Sequence, residues 1–206
     1  MEFMNHRPFS VFSFLIILCI ASSCSPLQKV EEVDDFGYKS VFFVSKKNQV
    51  KEGAFERFDS EGKLYETGTY LKGKLEGEKK VFYPNGSIEV LETYKNGSFD
   101  GVSKSYFEDG NLKTEGQYID NIASGIWKSF YANGKQREEV LYENNEENGP
   151  FKEWHENGML KAEGTYKGGD NEHGELKLYD EKGELERKMD CQMGLCKTIW
   201  KKDSGT

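Results

Sequence analysis

The sequence predicts an all-β protein in which six tandem β-hairpins stack into an elongated, twisted antiparallel sheet. Glycines recur every 24 residues, with one step of 25, at Gly53, Gly77, Gly101, Gly125, Gly149 and Gly174. A second glycine follows each of them nine residues later. An aromatic residue lies five positions after each first glycine, and in five of the six units a tyrosine lies 17 positions after it. Such a period is typical of repeat proteins whose units bury apolar side chains against one another.

Each unit is predicted to contain two strands joined by a tight turn that ends at the second glycine. The turn sequences are Ser60-Glu61-Gly62, Pro84-Asn85-Gly86, Glu108-Asp109-Gly110, Ala132-Asn133-Gly134, Glu156-Asn157-Gly158 and Glu181-Lys182-Gly183. A two-residue type I′ turn requires positive φ at both central residues, which Glu61 and Lys182 resist. A three-residue loop fits better, because a type I turn can be followed by a glycine in the left-handed region as a bulge.

This turn also predicts the register of each hairpin. The aromatic residue five positions after the first glycine then faces the residue eleven positions after it. The predicted pairs are Phe58 with Leu64, Phe82 with Ile88, Tyr106 with Leu112, Phe130 with Gln136, Trp154 with Leu160 and Tyr179 with Leu185. Because side chains alternate along a strand, we expect these pairs and the recurring tyrosines to share one core face.

The N-terminal residues predict export. Arg7 is followed by an apolar run from Phe9 to Ile20, too short to span a bilayer and typical of a signal peptide over residues 1–23. Ala21-Ser22-Ser23-Cys24 resembles the bacterial lipobox, which implies lipidation of Cys24, while ordinary cleavage with a free Cys24 is the alternative. By the same resemblance, Ser25 implies an outer-membrane lipoprotein. Residues 24–40 are predicted to be an acidic tether, and residues 41–200 to hold an N-terminal strand, the six repeats and a C-terminal cap.

The repeats resemble a known family. The segments Tyr70-Leu71-Lys72-Gly73 and Tyr94-Lys95-Asn96-Gly97, each leading to the next first glycine, and the recurrent Asn-Gly turns are similar to the MORN repeat in its longer bacterial variant. The resemblance covers about residues 53–191 and departs where Cys191 replaces the tyrosine, which predicts a cap. It implies scaffolding, protein contact or phospholipid binding, and many bacterial relatives carry the label of antitoxin.

No residue pattern predicts catalysis, a metal or a cofactor. His6, His155 and His173 have no second histidine or cysteine at metal-ligand spacing, and nucleophile and phosphate-loop motifs do not occur. Carboxylates are plentiful, so a glycosidase-like pair remains an alternative, although acid–base chemistry needs a partly desolvated pocket. A formal charge of −8 and the lack of a basic cluster argue against nucleic acid as a partner.

Two cysteines near the C-terminus predict a disulfide. Cys191 and Cys196 flank four residues, and an exported protein can oxidise such a pair to close its last turn. A pair of free thiols with redox chemistry is the alternative, but the pair lacks the Cys-x-x-Cys spacing or the pattern of basic neighbours that would lower a thiol pKa.

A stripe of rings is the predicted binding site. Tyr83, Phe107, Tyr131 and His155 each lie six positions after a first glycine, and Trp127 and Phe151 lie two positions after one. We expect these six side chains on the face opposite the core, with equivalent residues about 10 Å apart. The alternative is that this second face is covered, by residues 36–44 or by the curl of the sheet.

The sequence therefore predicts a non-enzymatic lipoprotein of the cell envelope that binds a protein partner or acts as a scaffold, and contacts the membrane through its lipid. The alternatives are an antitoxin-like or immunity protein that neutralises a toxin, and a protein that binds or cleaves glycans.

Overall fold

A computed structural model describes residues 25–203, which form sixteen β-strands and no helix. The first eight are β1 (Leu27–Val33), β2 (Lys39–Ser45), β3 (Gly53–Phe58), β4 (Leu64–Leu71), β5 (Lys74–Leu75), β6 (Gly77–Phe82), β7 (Ile88–Lys95) and β8 (Ser98–Tyr106). The others are β9 (Leu112–Ile119), β10 (Ile122–Phe130), β11 (Gln136–Glu143), β12 (Glu146–Trp154), β13 (Leu160–Tyr166), β14 (Gly174–Tyr179), β15 (Leu185–Gln192) and β16 (Leu195–Lys201).

The strands form one antiparallel sheet that follows the order of the chain from β1 to β16. The short strand β5 pairs with β4 only, and β4 then pairs directly with β6. This arrangement confirms the predicted all-β fold of tandem hairpins in an elongated, twisted sheet. Within residues 25–203, no segment forms a helix long and apolar enough to cross a membrane.

The turns inside the hairpins have the predicted geometry. In the first unit, the Gly62 amide donates to the Asp59 carbonyl at 3.0 Å, and the Asp59 amide donates to the Lys63 carbonyl at 2.8 Å. Gly62 has a φ of 81°, in the left-handed region that favours glycine. All six predicted pairs are confirmed: Phe58 with Leu64, Phe82 with Ile88, Tyr106 with Leu112, Phe130 with Gln136, Trp154 with Leu160 and Tyr179 with Leu185.

Most connections between hairpins are also tight turns, of two residues with positive φ. Asn96 and Gly97, for example, have φ values of 54° and 90°. Asn121 and Asn145 occupy the glycine position of such turns because asparagine tolerates the left-handed region. Their side-chain oxygens also accept the amides of Phe99 and Ala123, at 2.8 and 2.6 Å. Each of these connections is thereby tied to the previous one.

The predicted core face is wrong. Phe55 contacts the ring of Tyr70, with centroids 5.0 Å apart, and Phe58 lies three residues further along the same strand. An odd separation puts Phe58 on the opposite face from Tyr70. The cause is a bulge in every hairpin, a register shift just before the aromatic residue, as between Arg57 and Phe58, which reverses the alternation.

Two faces are therefore defined by different residues. The tyrosine face carries Tyr70, Tyr94, Tyr118, Tyr142 and Tyr166. The lysine face carries the aromatic–aliphatic pairs and a lysine three positions after each first glycine except the first, namely Lys80, Lys104, Lys128, Lys152 and Lys177. In the first five units, the first glycine is the cross-strand partner of the tyrosine of that unit. A lysine three positions after that glycine therefore lies on the other face, because the separation is odd.

Most buried apolar side chains lie on the tyrosine face in two clusters, and Tyr94 and Ala123 are buried between the clusters. Phe42, Val44 and Phe55 form the N-terminal cluster. The C-terminal cluster comprises Val140, Phe151, Ala162, Tyr166, Leu176 and Cys191. Ring contacts continue between the clusters, from Tyr94 through Phe99, Tyr118 and Trp127 to Tyr142, with centroids 4.6 to 5.6 Å apart. One face thus supplies the core that a lone hairpin lacks.

The two ends of the chain differ in how far they follow the prediction. Leu27–Val33, predicted to lie in an acidic tether, instead form β1 and pair with β2 along its length. Hydrogen bonds from Lys29 and then Lys39 lower the pKa of Glu31 to about 2, so the acidic charge is balanced within the sheet. The predicted signal peptide and Cys24 lie outside the described residues.

At the C-terminus, Cys191 and Cys196 form a disulfide between the cross-strand partners of β15 and β16. Cys191 takes the place of the sixth tyrosine and is fully buried. The row of tyrosines therefore ends on a covalent link.

Substituting Gly116 tests the packing of the tyrosine face. A Cβ atom at Gly116 would lie 2.1 Å from Cδ2 of Trp127, whose ring covers this glycine. At an ordinary strand position, glycine to alanine stabilises by about 0.5–1 kcal/mol. Here Gly116→Ala should instead lower the free energy of unfolding by about 1–3 kcal/mol, as overpacking does, when measured by urea denaturation. On a Trp127→Leu background the loss should shrink, and a stabilising Gly116→Ala would contradict the close contact.

Candidate functional site

The predicted binding stripe is not on a free face. Trp127 contacts Tyr142 and Tyr118 on the tyrosine face, with ring centroids at 5.6 and 5.3 Å. Phe151 stacks on Tyr166 at 4.0 Å and is only 4 % exposed. Trp127 and Phe151 are therefore core residues, because the bulge puts them on the same face as the tyrosines.

The other four stripe residues are partly buried and link neighbouring hairpins. The Tyr83 hydroxyl donates to the Tyr106 carbonyl at 2.8 Å, and that of Tyr131 to the Trp154 carbonyl at 2.7 Å. His155 Nε2 lies 2.9 Å from the Tyr179 carbonyl and carries the proton, since a carbonyl only accepts. Phe107 has no hydroxyl, and the Lys113 amino group lies 5.8 Å from its ring centroid. The hydroxyl groups of Tyr83 and Tyr131 and the imidazole of His155 thus form hydrogen bonds within the array of repeats.

A second set of links runs along the tight turns and was missed by the sequence reasoning. Asn85 accepts the Ser87 amide with Oδ1 and donates from Nδ2 to the Glu108 carbonyl of the next turn, at 2.8 and 3.0 Å. Asn133 and Asn157 repeat both contacts. The recurrent Asn-Gly dipeptide was a visible signal, because the asparagine side chain has both an acceptor and a donor. It holds successive turns together.

Two carboxylates do meet on the tyrosine face. Glu138 on β11 is the cross-strand partner of Glu153 on β12, beside a recess of about 260 Å³ that is also lined by Tyr131 and Lys161. Burial, followed by the charges of Glu147 and Glu153, raises the pKa of Glu138. Lys161 donates to Glu153 at 2.7 Å. One acid of the pair is thus engaged with a lysine, and the other is partly desolvated.

No group of three or more histidine, cysteine, aspartate or glutamate side chains in residues 25–203 is placed to hold a metal ion.

The lysine face carries a charged row that crosses the middle of the sheet. Its members, each the cross-strand partner of the next, are Lys104, Glu115, Lys128, Glu139, Lys152, Glu163 and Lys177. The signs alternate at every strand, about 4.8 Å apart. Lys177 and Tyr179 both donate to Glu163, at 3.0 and 2.8 Å, and lower its pKa. This row stabilises the pairing of neighbouring strands.

Beside the charged row lie apolar side chains that no part of the described chain covers. Val102 is 44 % exposed and Ile126 is 55 % exposed. Ile126 is the cross-strand partner of Leu141, and both line a recess of about 150 Å³ with Pro150. A second recess on the same face reaches from Ile126 to Val102. We call Val102, Ile126, Leu141 and Pro150 the Ile126 patch.

Comparison with known proteins agrees with the repeat architecture. A family model described as the MORN repeat variant matches six segments, residues 51–72, 75–96, 99–120, 123–144, 147–167 and 172–190, which together make up more than half of the chain. The chain belongs to the MORN repeat variant family. Each MORN match spans two strands of the sheet with their tight turn. No curated protein matches the chain. MORN arrays are repeat modules that contact proteins or membranes, and the family is generally non-catalytic.

The sequence reasoning missed the Ile126 patch, although a signal for it existed. The lysines of this face recur every 24 residues from Lys80 to Lys152, and Val102 and Ile126 lie two residues before two of them. In a strand, a spacing of two means the same face. The bulge hid this pattern. Alternation along the strands without a bulge puts these lysines on the predicted core face, together with the aromatic–aliphatic pairs and the tyrosines.

The pH dependence of stability should report the burial of Glu138. Because its pKa is higher in the folded than in the unfolded protein, the folded state binds more protons between the two values. Stability from this group therefore falls as pH rises through that window. Glu138→Gln should raise the melting temperature at pH 7, and the gain should vanish at pH values below about 4, the range where an unperturbed glutamate is protonated. A Glu138→Gln protein that is less stable than the wild type at pH 7 would contradict this account.

Proposed function

We propose that this MORN protein is a non-catalytic protein-binding module, held at the outer membrane by a lipid on Cys24. The observation that supports it most is the Ile126 patch, an exposed apolar surface in the middle of a sheet whose other face is filled by its own rings. Contiguous exposed apolar surface is typical of a site for a partner. The tyrosine face offers less, because its rings pack against one another and the hydroxyls of Tyr94 and Tyr142 already donate to Glu92 and Glu147.

The sheet is suited to binding because it is already ordered. Backbone ladders join every strand to its neighbours, and side chains such as Asn85 and Asn145 join successive turns. A rigid surface loses little conformational entropy on association. The apolar side chains can thus contribute to affinity, while the flanking charges of Lys128 and Glu139 select a partner of complementary pattern.

The lipid anchor is supported by the lipobox-like sequence and by the start of β1. Leu27 begins the first strand only three residues after Cys24. A lipid on Cys24 would therefore hold the edge of the sheet close to the membrane surface, since three residues span at most about 11 Å. A binding module fixed in this way meets partners within the same membrane or periplasm.

Replacing Cys24 tests the anchor. In the full chain expressed in a Gram-negative bacterium, Cys24→Ser should abolish incorporation of a labelled fatty acid and move the protein from the membrane pellet to the soluble fraction. Cys19→Ser is the matched control, because Cys19 lies within the apolar run of the same signal and should leave labelling intact. Labelling that survives Cys24→Ser, or a wild type that is never labelled, would show that the anchor is wrongly assigned.

Photo-crosslinking tests the binding surface. A benzoylphenylalanine at position 126 of the anchored chain should give discrete protein adducts on irradiation of intact cells. The same residue at position 113, an exposed position beside Phe107 and outside the Ile126 patch, should give at least several-fold less. Equal adducts from both positions, or adducts from position 113 alone, would remove the lysine face as the binding site.

A further inference from the structure

The charged row of the lysine face is complementary to itself. Its first six members alternate in sign from Lys104 on β8 to Glu163 on β13. When such a row is reversed about a point between two strands, every lysine meets a glutamate. A reversal of this kind is what a two-fold axis produces when two identical surfaces face each other. The surface therefore has the charge pattern of an interface with a second copy.

We propose that the lysine faces of two copies of this protein associate about a two-fold axis that runs between β10 and β11, parallel to the strands. The proposal deepens the proposed function, on whose binding surface it rests, by naming the partner. The axis sets Lys128 of one copy against Glu139 of the other, and each of these pairs occurs twice. In the same way Glu115 faces Lys152, and Lys104 faces Glu163.

The apolar side chains follow the same symmetry. Ile126 and Leu141 are cross-strand partners on either side of the axis, so Ile126 of one copy lies against Leu141 of the other. Pro150 of one copy then faces Gln117 of the other. Ile126, which is 55 % exposed in a single copy, is thus placed at the centre of the interface, where water is excluded most completely.

The charged groups of the row can form ion pairs with a second copy, because their ion pairs within one copy are long and their side chains are partly exposed. Lys104 lies 3.6 Å from Glu115, and Lys128 lies 3.8 Å from Glu139. Charge-assisted hydrogen bonds in proteins are about 2.7–2.9 Å long, so these contacts are loose. The side chains keep about a third of their surface exposed, 33 to 36 % for these four residues. An opposing copy can supply the short hydrogen bonds that the single sheet does not make.

The available area is also adequate. Six strands at about 4.8 Å spacing, each contributing about seven residues at 3.4 Å, cover roughly 700 Å² on each copy. Stable protein interfaces bury about 800 Å² per partner, so the central repeats alone approach the usual size. The outer strands twist away from the contact, and two packed sheets commonly cross at about 30°.

A charge-swap experiment tests the proposal. Two differently tagged full-length copies are co-expressed, extracted in mild detergent and purified through one tag, and the second tag is quantified. Wild-type copies should copurify. Lys128→Glu in both copies should reduce copurification about tenfold, because the introduced carboxylate then faces that of Glu139, and Glu139→Lys in both copies should do the same. A Lys128→Glu copy paired with a Glu139→Lys copy should recover it, because both contacts become attractive again.

The mixed pair separates a lost interface from a damaged fold, since misfolding in either copy would not be repaired by the other. Lys113→Glu, a reversal of an exposed charge beside Phe107 and outside the charged row, should leave copurification unchanged. Failure of wild-type copies to copurify, or no recovery in the mixed pair, overturns the proposal. If position 126 still crosslinks to a different protein in that case, the binding function stands and only the identity of the partner is wrong. If position 126 gives no adduct either, both fail.

Discussion

The register shift beside each tight turn decides which side chains share a face, and the rest of the structure depends on it. Without the bulge, the aromatic residue five positions after the first glycine would join the tyrosines, and the lysine face would lose its apolar pairs. With it, residues at even offsets such as Phe55, Trp127 and Phe151 cover the tyrosine face. One extra residue per hairpin thus builds a core on one side and leaves a charged, partly apolar surface on the other.

The parts of the fold that the sequence predicted correctly are those that local chemistry determines. Gly62 and its equivalents specified the turn, and the turn specified the pairing of Phe58 with Leu64. The faces could not be obtained in this way, because the register shift between Arg57 and Phe58 has no dedicated glycine. The candidate site failed for the same reason, since it was assigned by alternation from a wrong starting point. Glu31 was predicted to lie in a tether because its ion pairs with Lys29 and Lys39 form only when β1 pairs with β2.

The tyrosine face is not uniformly apolar, and its polar interruption separates the two buried clusters. In the second unit Lys79 takes the position that Phe55 and Phe151 hold elsewhere, and its amino group lies 3.2 and 3.6 Å from Glu66 and Glu92. A partly buried charge between two acids stabilises little compared with an apolar side chain, but it is costly to misalign. The contacts of Lys79 with Glu66 and Glu92 therefore favour one register between the first two hairpins. Because the repeats are similar, a hairpin could otherwise pair with a hairpin that is not its neighbour in the chain.

The position of the exposed surface follows from this division. The Ile126 patch lies on β8 to β12, and behind it the tyrosine face holds the chain of rings from Phe99 to Tyr142 and, at Val140 and Phe151, part of the C-terminal buried cluster. In a linear array each unit is stabilised by its neighbours, so the middle repeats are held from both sides in addition to the packing of their own tyrosine face. They can expose Val102 and Ile126 at little cost to the fold. A terminal repeat has one neighbour only, and there the disulfide between Cys191 and Cys196 ties the last strand, which exposes Leu195, Ile199 and Trp200, to the array.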